Sequence, residues 1–193
     1  MIKKKVRLFS SIPIRIMKKI YNVGYFIILG YGISFFISIV FTMLKIEGNI
    51  IVEQYIEENA LLIMLNVLIL SPAIEELVFR GIIYKLIMRN LLKLCISISA
   101  IISSAIFGAL HYFIPTIIVA IIFGMVQCYI YEKKNKIIYC MLIHFGFNLY
   151  SFIAIFVDQY IYLAFSMFII LMFIYDIAKR INGKSGKCRK NNT

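Results

Sequence analysis

Apolar runs of close to twenty residues recur along this chain, and that length is set by a lipid bilayer rather than by a water-facing core. The runs cover residues 21–44, 60–84, 94–113, 115–131, 137–157 and 160–178. A hydrocarbon core about 30 Å thick takes roughly 20 residues of helix to cross, whereas a soluble helix needs only an apolar stripe. Composition agrees: 62% of the 193 residues are hydrophobic and 16% charged, more apolar than a soluble domain of this size sustains. Without water in the hydrocarbon region, backbone groups must pair within each segment. The expected fold class is therefore all-α, a polytopic membrane helix bundle of about six transmembrane helices.

Charge collects between the runs. Segment 1–20 carries Lys3, Lys4, Lys5, Arg7, Arg15, Lys18 and Lys19, and segment 45–59 is acidic through Glu47, Glu53, Glu57 and Glu58. Lys85, Arg89 and Lys93 follow the second run, residues 133–136 are basic, and the tail holds Lys179, Arg180, Lys184, Lys187, Arg189 and Lys190. Six crossings with both termini cytoplasmic put every basic loop on the cytoplasmic side. The expectation is a multi-pass protein of the cell membrane: a basic cytoplasmic or interfacial segment over 1–20, a transmembrane domain over 21–178, and a basic cytoplasmic tail over 179–193. The first run is too long for a signal peptide and is followed by no small-residue cleavage site, so it stays as a helix. The net charge of +12 then points to membrane lipid as a partner and not to nucleic acid, because no basic stretch interleaves with aromatic residues in a soluble module. Cys95, Cys128, Cys140 and Cys188 show no C-x-x-C spacing and read as small core residues.

Ionisable side chains are costly inside a bilayer, by about 2.5 to 3.5 kcal/mol each on insertion scales, and mark function by default. Here they concentrate in three strings: Ser71-Pro72-Ala73-Ile74-Glu75-Glu76-Leu77-Val78-Phe79-Arg80-Gly81, Phe107-Gly108-Ala109-Leu110-His111, and His144-Phe145-Gly146-Phe147-Asn148. Glu76 and Arg80 are four apart and share a helical face, whereas Glu75 and Arg80 are five apart and diverge. Arg80 can therefore neutralise Glu76, leaving Glu75 less fully paired and suited to act as a general base. Pro72 is expected to break or kink its helix and to place Glu75 in the first turn of a new one. His144 and Asn148 are four apart, so imidazole and carboxamide project from one face, and both can donate to an oxyanion. Ala100, Ser104 and Gly108 form a small-residue stripe that lets another helix approach closely and is expected to bring His111 against a polar helix.

The ordered set, E-E-x-x-x-R after a proline, then F-x-x-x-H, then H-x-x-x-N on successive helices, closely resembles the CPBP family of intramembrane proteases. That family includes the CAAX prenyl endopeptidases, the lysostaphin-resistance-type proteins and bacteriocin self-immunity (Abi) proteins. The resemblance covers residues 70–148. It implies that Glu75 and His111 activate a water, that His144 and Asn148 stabilise the tetrahedral oxyanion, and that Glu76 and Arg80 support them. The implied substrate is a membrane-associated peptide or protein. A cofactor is left open between none and zinc, since two histidines and a glutamate can hold zinc with one position free for water. The string H-E-x-x-H is absent, because Tyr112 follows His111 and Phe145 follows His144. Two further readings are a non-catalytic immunity or helper protein of the same fold and a small proton-relaying transporter, though the paired broken helices of a transporter are not visible. The Ile-, Lys- and Asn-rich composition suggests a bacterial source.

Straight helices do not satisfy this set. At about 1.5 Å per residue, Glu75 and His144 lie roughly 10 Å from the basic side, while His111 would sit near the opposite one. The expectation is that helices bend, start outside the bilayer, or end inside it around a polar cavity.

Overall fold

The computed structural model describes residues 14–46, 59 and 61–190. Among these residues the chain is a bundle of helices without strands: α1 (Ile14–Met43), α2 (Leu61–Leu91), α3 (Ile96–Ala109), α4 (Ile114–Lys134), α5 (Ile137–Ala154) and α6 (Gln159–Lys190). Five are long and apolar enough to cross a membrane, through Lys19–Met43, Leu61–Leu91, Ile114–Lys134, Ile137–Ala154 and Tyr160–Lys179. The protein is thus a polytopic, all-α membrane bundle. The N-terminal segment up to residue 13 and the acidic stretch over 47–58 lie outside the described residues. The basic tail continues α6 as helix to Lys190.

Large apolar side chains point outward on most helices. Ile82 and Leu86 on α2, Ile101 on α3, Ile118 and Ile122 on α4 and Leu171 on α6 are all exposed, as lipid-facing residues are. The interior holds Phe26, Phe79, Phe107, Phe123 and Ile143 together with the polar groups described below.

Small residues fix how closely the helices approach. A Cβ on Gly30 of α1 would lie 1.9 Å from the Ile143 carbonyl oxygen, and one on Gly146 of α5 would lie 2.0 Å from that of Ile27. These two reciprocal clashes mean that α1 and α5 touch backbone to backbone, as small-residue membrane interfaces do. On α3, Ser104 meets Gly124 of α4, and a Cβ on Gly108 would lie 2.4 Å from Ile121 Cγ1. The small-residue stripe therefore faces the apolar helix α4. The neighbouring face of α3 meets α2, where Ser103 Oγ donates to the Phe79 carbonyl at 2.9 Å. Helix α6 is held by Tyr31 and Ser166, hydroxyls 2.8 Å apart, and by the Tyr162 hydroxyl donating to the Tyr150 carbonyl. At the basic end of α2 and α4, Glu132 accepts from Tyr84 at 3.0 Å and pairs with Arg89 at 3.3 Å and Lys85 at 3.6 Å.

Two features depart from six straight crossings. Helix α3 has 14 residues, an advance of about 21 Å, too short for a hydrocarbon core of about 30 Å. It stops at Ala109, and after the turn through His111 the chain extends at Phe113 (φ −105°, ψ 125°) before Pro115 enters the first turn of α4. A proline fits there because its missing N–H needs no partner in a first turn. His111 thus follows a helix that ends early, and it and His144 pack on the same Phe107 ring. At Pro72, in turn, α2 does not break. It changes winding: turns over Asn66–Leu70 and Leu77–Leu91 are the wide i→i+5 type, flanking an α-helical stretch Ser71–Glu76, a distortion that often accompanies functional sites.

Candidate active site

Helix α2 delivers adjacent glutamates to different partners. Glu76, with no solvent exposure, faces Arg80 one turn on, Oε2 to Nε 3.1 Å. Arg80 is 1% exposed, and its Cζ lies 4.6 Å from the centroid of the Phe107 ring. The contact is an ion pair by proximity rather than an aligned hydrogen bond, and the remaining guanidinium nitrogens have no hydrogen-bond partner among the described residues. Glu75 projects elsewhere. Its side chain is 31% exposed, and Oε1 accepts a hydrogen bond from Ser71 one turn back.

His144 of α5 bridges the two carboxylates. Its Nδ1 lies 2.8 Å from Glu76 Oε1 and its Nε2 lies 3.7 Å from Glu75 Oε2. An ionised carboxylate can only accept, so Nδ1 carries the proton. Nε2 is left facing Glu75, an acceptor in the neutral ring and a donor once protonated. Edges of the Phe107 and Phe123 rings pack on the imidazole, at centroid distances of 6.2 and 5.2 Å.

Asn148, one turn beyond His144, donates from Nδ2 to the Val67 carbonyl at 2.9 Å. The winding of α2 explains this bond. Ser71 N–H already pairs with the Asn66 carbonyl five residues back, and the next donor in that register, for Val67, would be residue 72. Residue 72 is proline and has no N–H, so a carbonyl in the bundle would go unpaired. Asn148 supplies the missing donor and keeps one N–H of its amide unspent. Asn148→Ala should therefore lower thermal stability in detergent by about 1 to 3 kcal/mol, the usual cost of leaving a buried polar group unsatisfied. Pro72→Ala in the Asn148→Ala background should restore part of that loss by returning a backbone donor. No restoration by the second substitution would disprove this account of the bond.

His111 also packs against Phe107. Its Nδ1 is 3.2 Å from the Phe107 carbonyl, and its ring lies 5.2 Å from that of Phe107. Both imidazoles lean on one phenyl ring, so their separation cannot exceed the sum of the two ring distances. That keeps them within the roughly 12 Å over which two groups can act on one scissile carbonyl. The family resemblance implies that Glu75 and His111 act on one water; among the described residues the imidazole in contact with Glu75 is that of His144.

Gln127 of α4 was missed by sequence reasoning. It is fully buried, and its Nε2 lies 3.0 Å from the Cys140 carbonyl and 3.5 Å from Glu76 Oε1. The available signal was a lone amide in an otherwise apolar helix, which must find a polar partner. Among the described residues no three His, Cys, Asp or Glu side chains are grouped as ligands of one metal ion.

The fold and site together define a multi-pass membrane protein with a carboxylate–imidazole cluster inside its helix bundle. Residues 57–150, just under half of the chain, match the family model described as type II CAAX prenyl endopeptidase, Rce1-like, a family of membrane proteases. The segment contains Glu75, Glu76, Arg80, His111, His144 and Asn148. Neither the curated proteins nor the solved structures contain a significant match to the chain.

Proposed function

We propose that this protein is an intramembrane endopeptidase that hydrolyses a peptide bond of a membrane-associated protein or peptide, with Glu75 activating the water. The observation that carries the reading is the single imidazole set between two adjacent carboxylates of unequal surroundings, inside a segment of a CAAX-type protease family. Glu76 is buried and taken by Arg80 and His144. Glu75 is the partly exposed member and can reach a water.

In this mechanism a Glu75 carboxylate oxygen removes a proton from the attacking water as it adds to the scissile carbonyl, general-base chemistry worth about 10²- to 10⁴-fold. Ser71 holds the other oxygen and orients the group. His144, its Nδ1–H fixed on Glu76, receives a proton at Nε2 from the Glu75 side and then donates to the developing oxyanion. The unspent N–H of Asn148 adds a second donor. As the C–N bond breaks, the proton taken from the water and carried through Glu75 and His144 passes to the departing amine nitrogen, while His111, whose Nδ1 faces a backbone carbonyl, accepts at Nε2 from an N–H of that amine. We place the basic loops and both termini in the cytoplasm and the protein in the cell membrane, with the site opening toward that side. The substrate class that suits this placement is a lipid-anchored or membrane-inserted chain cut from the cytoplasmic face.

The test is comparative peptidomics of membranes that contain the native protein or its Glu75→Ala form. Fragments with new termini near an apolar or lipidated segment should accumulate only with the native protein. Identical peptide profiles, with both proteins present at equal levels, would contradict the reading.

A further inference from the structure

We propose that Gln127 is a positioning residue for the hydrolytic site, acting through Glu76 on His144; this inference rests on the protease reading above. Both of its near partners are acceptors, the Cys140 carbonyl at 3.0 Å and Glu76 Oε1 at 3.5 Å, so the amide must present its NH2 group to them. One N–H is spent on the backbone of α5 and the other on the carboxylate that holds His144. Cys140 lies one helical turn before His144, and its Sγ returns a contact to the Gln127 carbonyl at 3.5 Å. The same side chain thus sets the height of the α5 turn that carries His144 and the direction of the carboxylate that receives its proton.

The amide also has an unpaired end. Gln127 Oε1 is buried with no hydrogen-bond partner among the described residues. Fastening α4 to α5 requires a single bond, so the second donor aimed at Glu76 calls for a separate reason. Arg80 supplies it. The guanidinium lies beside Glu76 without an aligned hydrogen bond, although planar pairing with both carboxylate oxygens is its preferred geometry. Gln127 and His144 together hold Oε1 away from that arrangement. Without the amide, the carboxylate can swing into an aligned pair with Arg80, and His144 Nδ1 loses its fixed acceptor.

The full chain, reconstituted in liposomes, should be compared with Gln127→Met and Gln127→Leu, using a membrane-anchored reporter peptide with a farnesylated C-terminus. Both variants should lower kcat by roughly 10- to 100-fold, as small misplacements near a reacting centre do, with KM changed less than threefold and thermal stability in detergent equal to or above the native value. The chain has two histidines, so ¹⁵N-histidine spectra resolve each ring, with His111→Gln giving the assignment. Native His144 should appear as the Nδ1–H tautomer, and the variants should show a mixture at His144 with His111 unaltered. Native kcat and a native His144 tautomer in either folded variant would overturn the proposal, as would failure of both variants to fold, which would make the amide a structural clamp. If the native chain leaves the reporter uncut, the cleavage result counts against the protease reading, and the tautomer comparison decides the role of Gln127 alone.

Discussion

Glu75→Gln is expected to abolish cleavage, by at least about 10²-fold given the contribution of general bases, while leaving the protein folded, inserted and equally abundant. Glutamine keeps the volume of the side chain, and its carbonyl oxygen still accepts from Ser71 as Glu75 Oε1 does. It cannot take a proton from water. Because the native side chain is 31% exposed and, among the described residues, has no charged partner at close range besides the His144 ring, removing its charge strands no buried counter-ion. Stability is therefore decoupled from activity at this position. The measurement is a cleavage assay beside quantitative immunodetection and thermal unfolding in detergent. Normal cleavage by a folded Glu75→Gln protein would show that another group is the base.

Much of this site follows from helical phase, and the rest depends on how separate helices meet. The pairing of Glu76 with Arg80 is a local matter of four residues along one helix. So is the shared face of His144 and Asn148. Which carboxylate each imidazole meets is not local. His144 reaches both glutamates because Gly146 lets the α1 backbone come close to α5, and because Gln127 ties α5 to α4; the glycine and the lone amide are visible in the order of residues, but the helix that each one meets is not. The early end of α3 is a similar case. The run over 94–113 is apolar throughout, and hydropathy cannot tell a helix from the extended residue at Phe113. Pro72 was readable as a perturbation, but its consequence depended on a donor 76 positions later, Asn148, which lets α2 continue with altered winding instead of breaking. The same bond shows why a motif residue can serve structure and chemistry at once.

Glu76→Gln, one residue along, should produce the opposite symptom from Glu75→Gln. Arg80 is 1% exposed and finds its counter-charge in Glu76 at 3.1 Å. Neutralising that glutamate leaves a guanidinium buried against Phe107 without compensation, and breaking one side of a buried pair costs about 3 to 5 kcal/mol. For a chain of this size each kcal/mol lowers the unfolding midpoint by about 2 to 4 °C, so the midpoint in detergent should fall by on the order of 10 °C and abundance should fall with it. Arg80→Gln added to Glu76→Gln removes the stranded charge and should recover part of that stability. It should not recover cleavage, because His144 Nδ1 then faces an amide in place of the carboxylate 2.8 Å away and its protonated form loses its stabilising partner. No substitution at Arg80 should restore Glu75→Gln. Thermal unfolding and cleavage per folded molecule, measured on Glu75→Gln, Glu76→Gln, Arg80→Gln and the Glu76→Gln/Arg80→Gln pair, separate these roles. A Glu76→Gln protein as stable as the native one would mean that the pair contributes no net stability. Full cleavage by the double variant would mean that His144 works without its carboxylate.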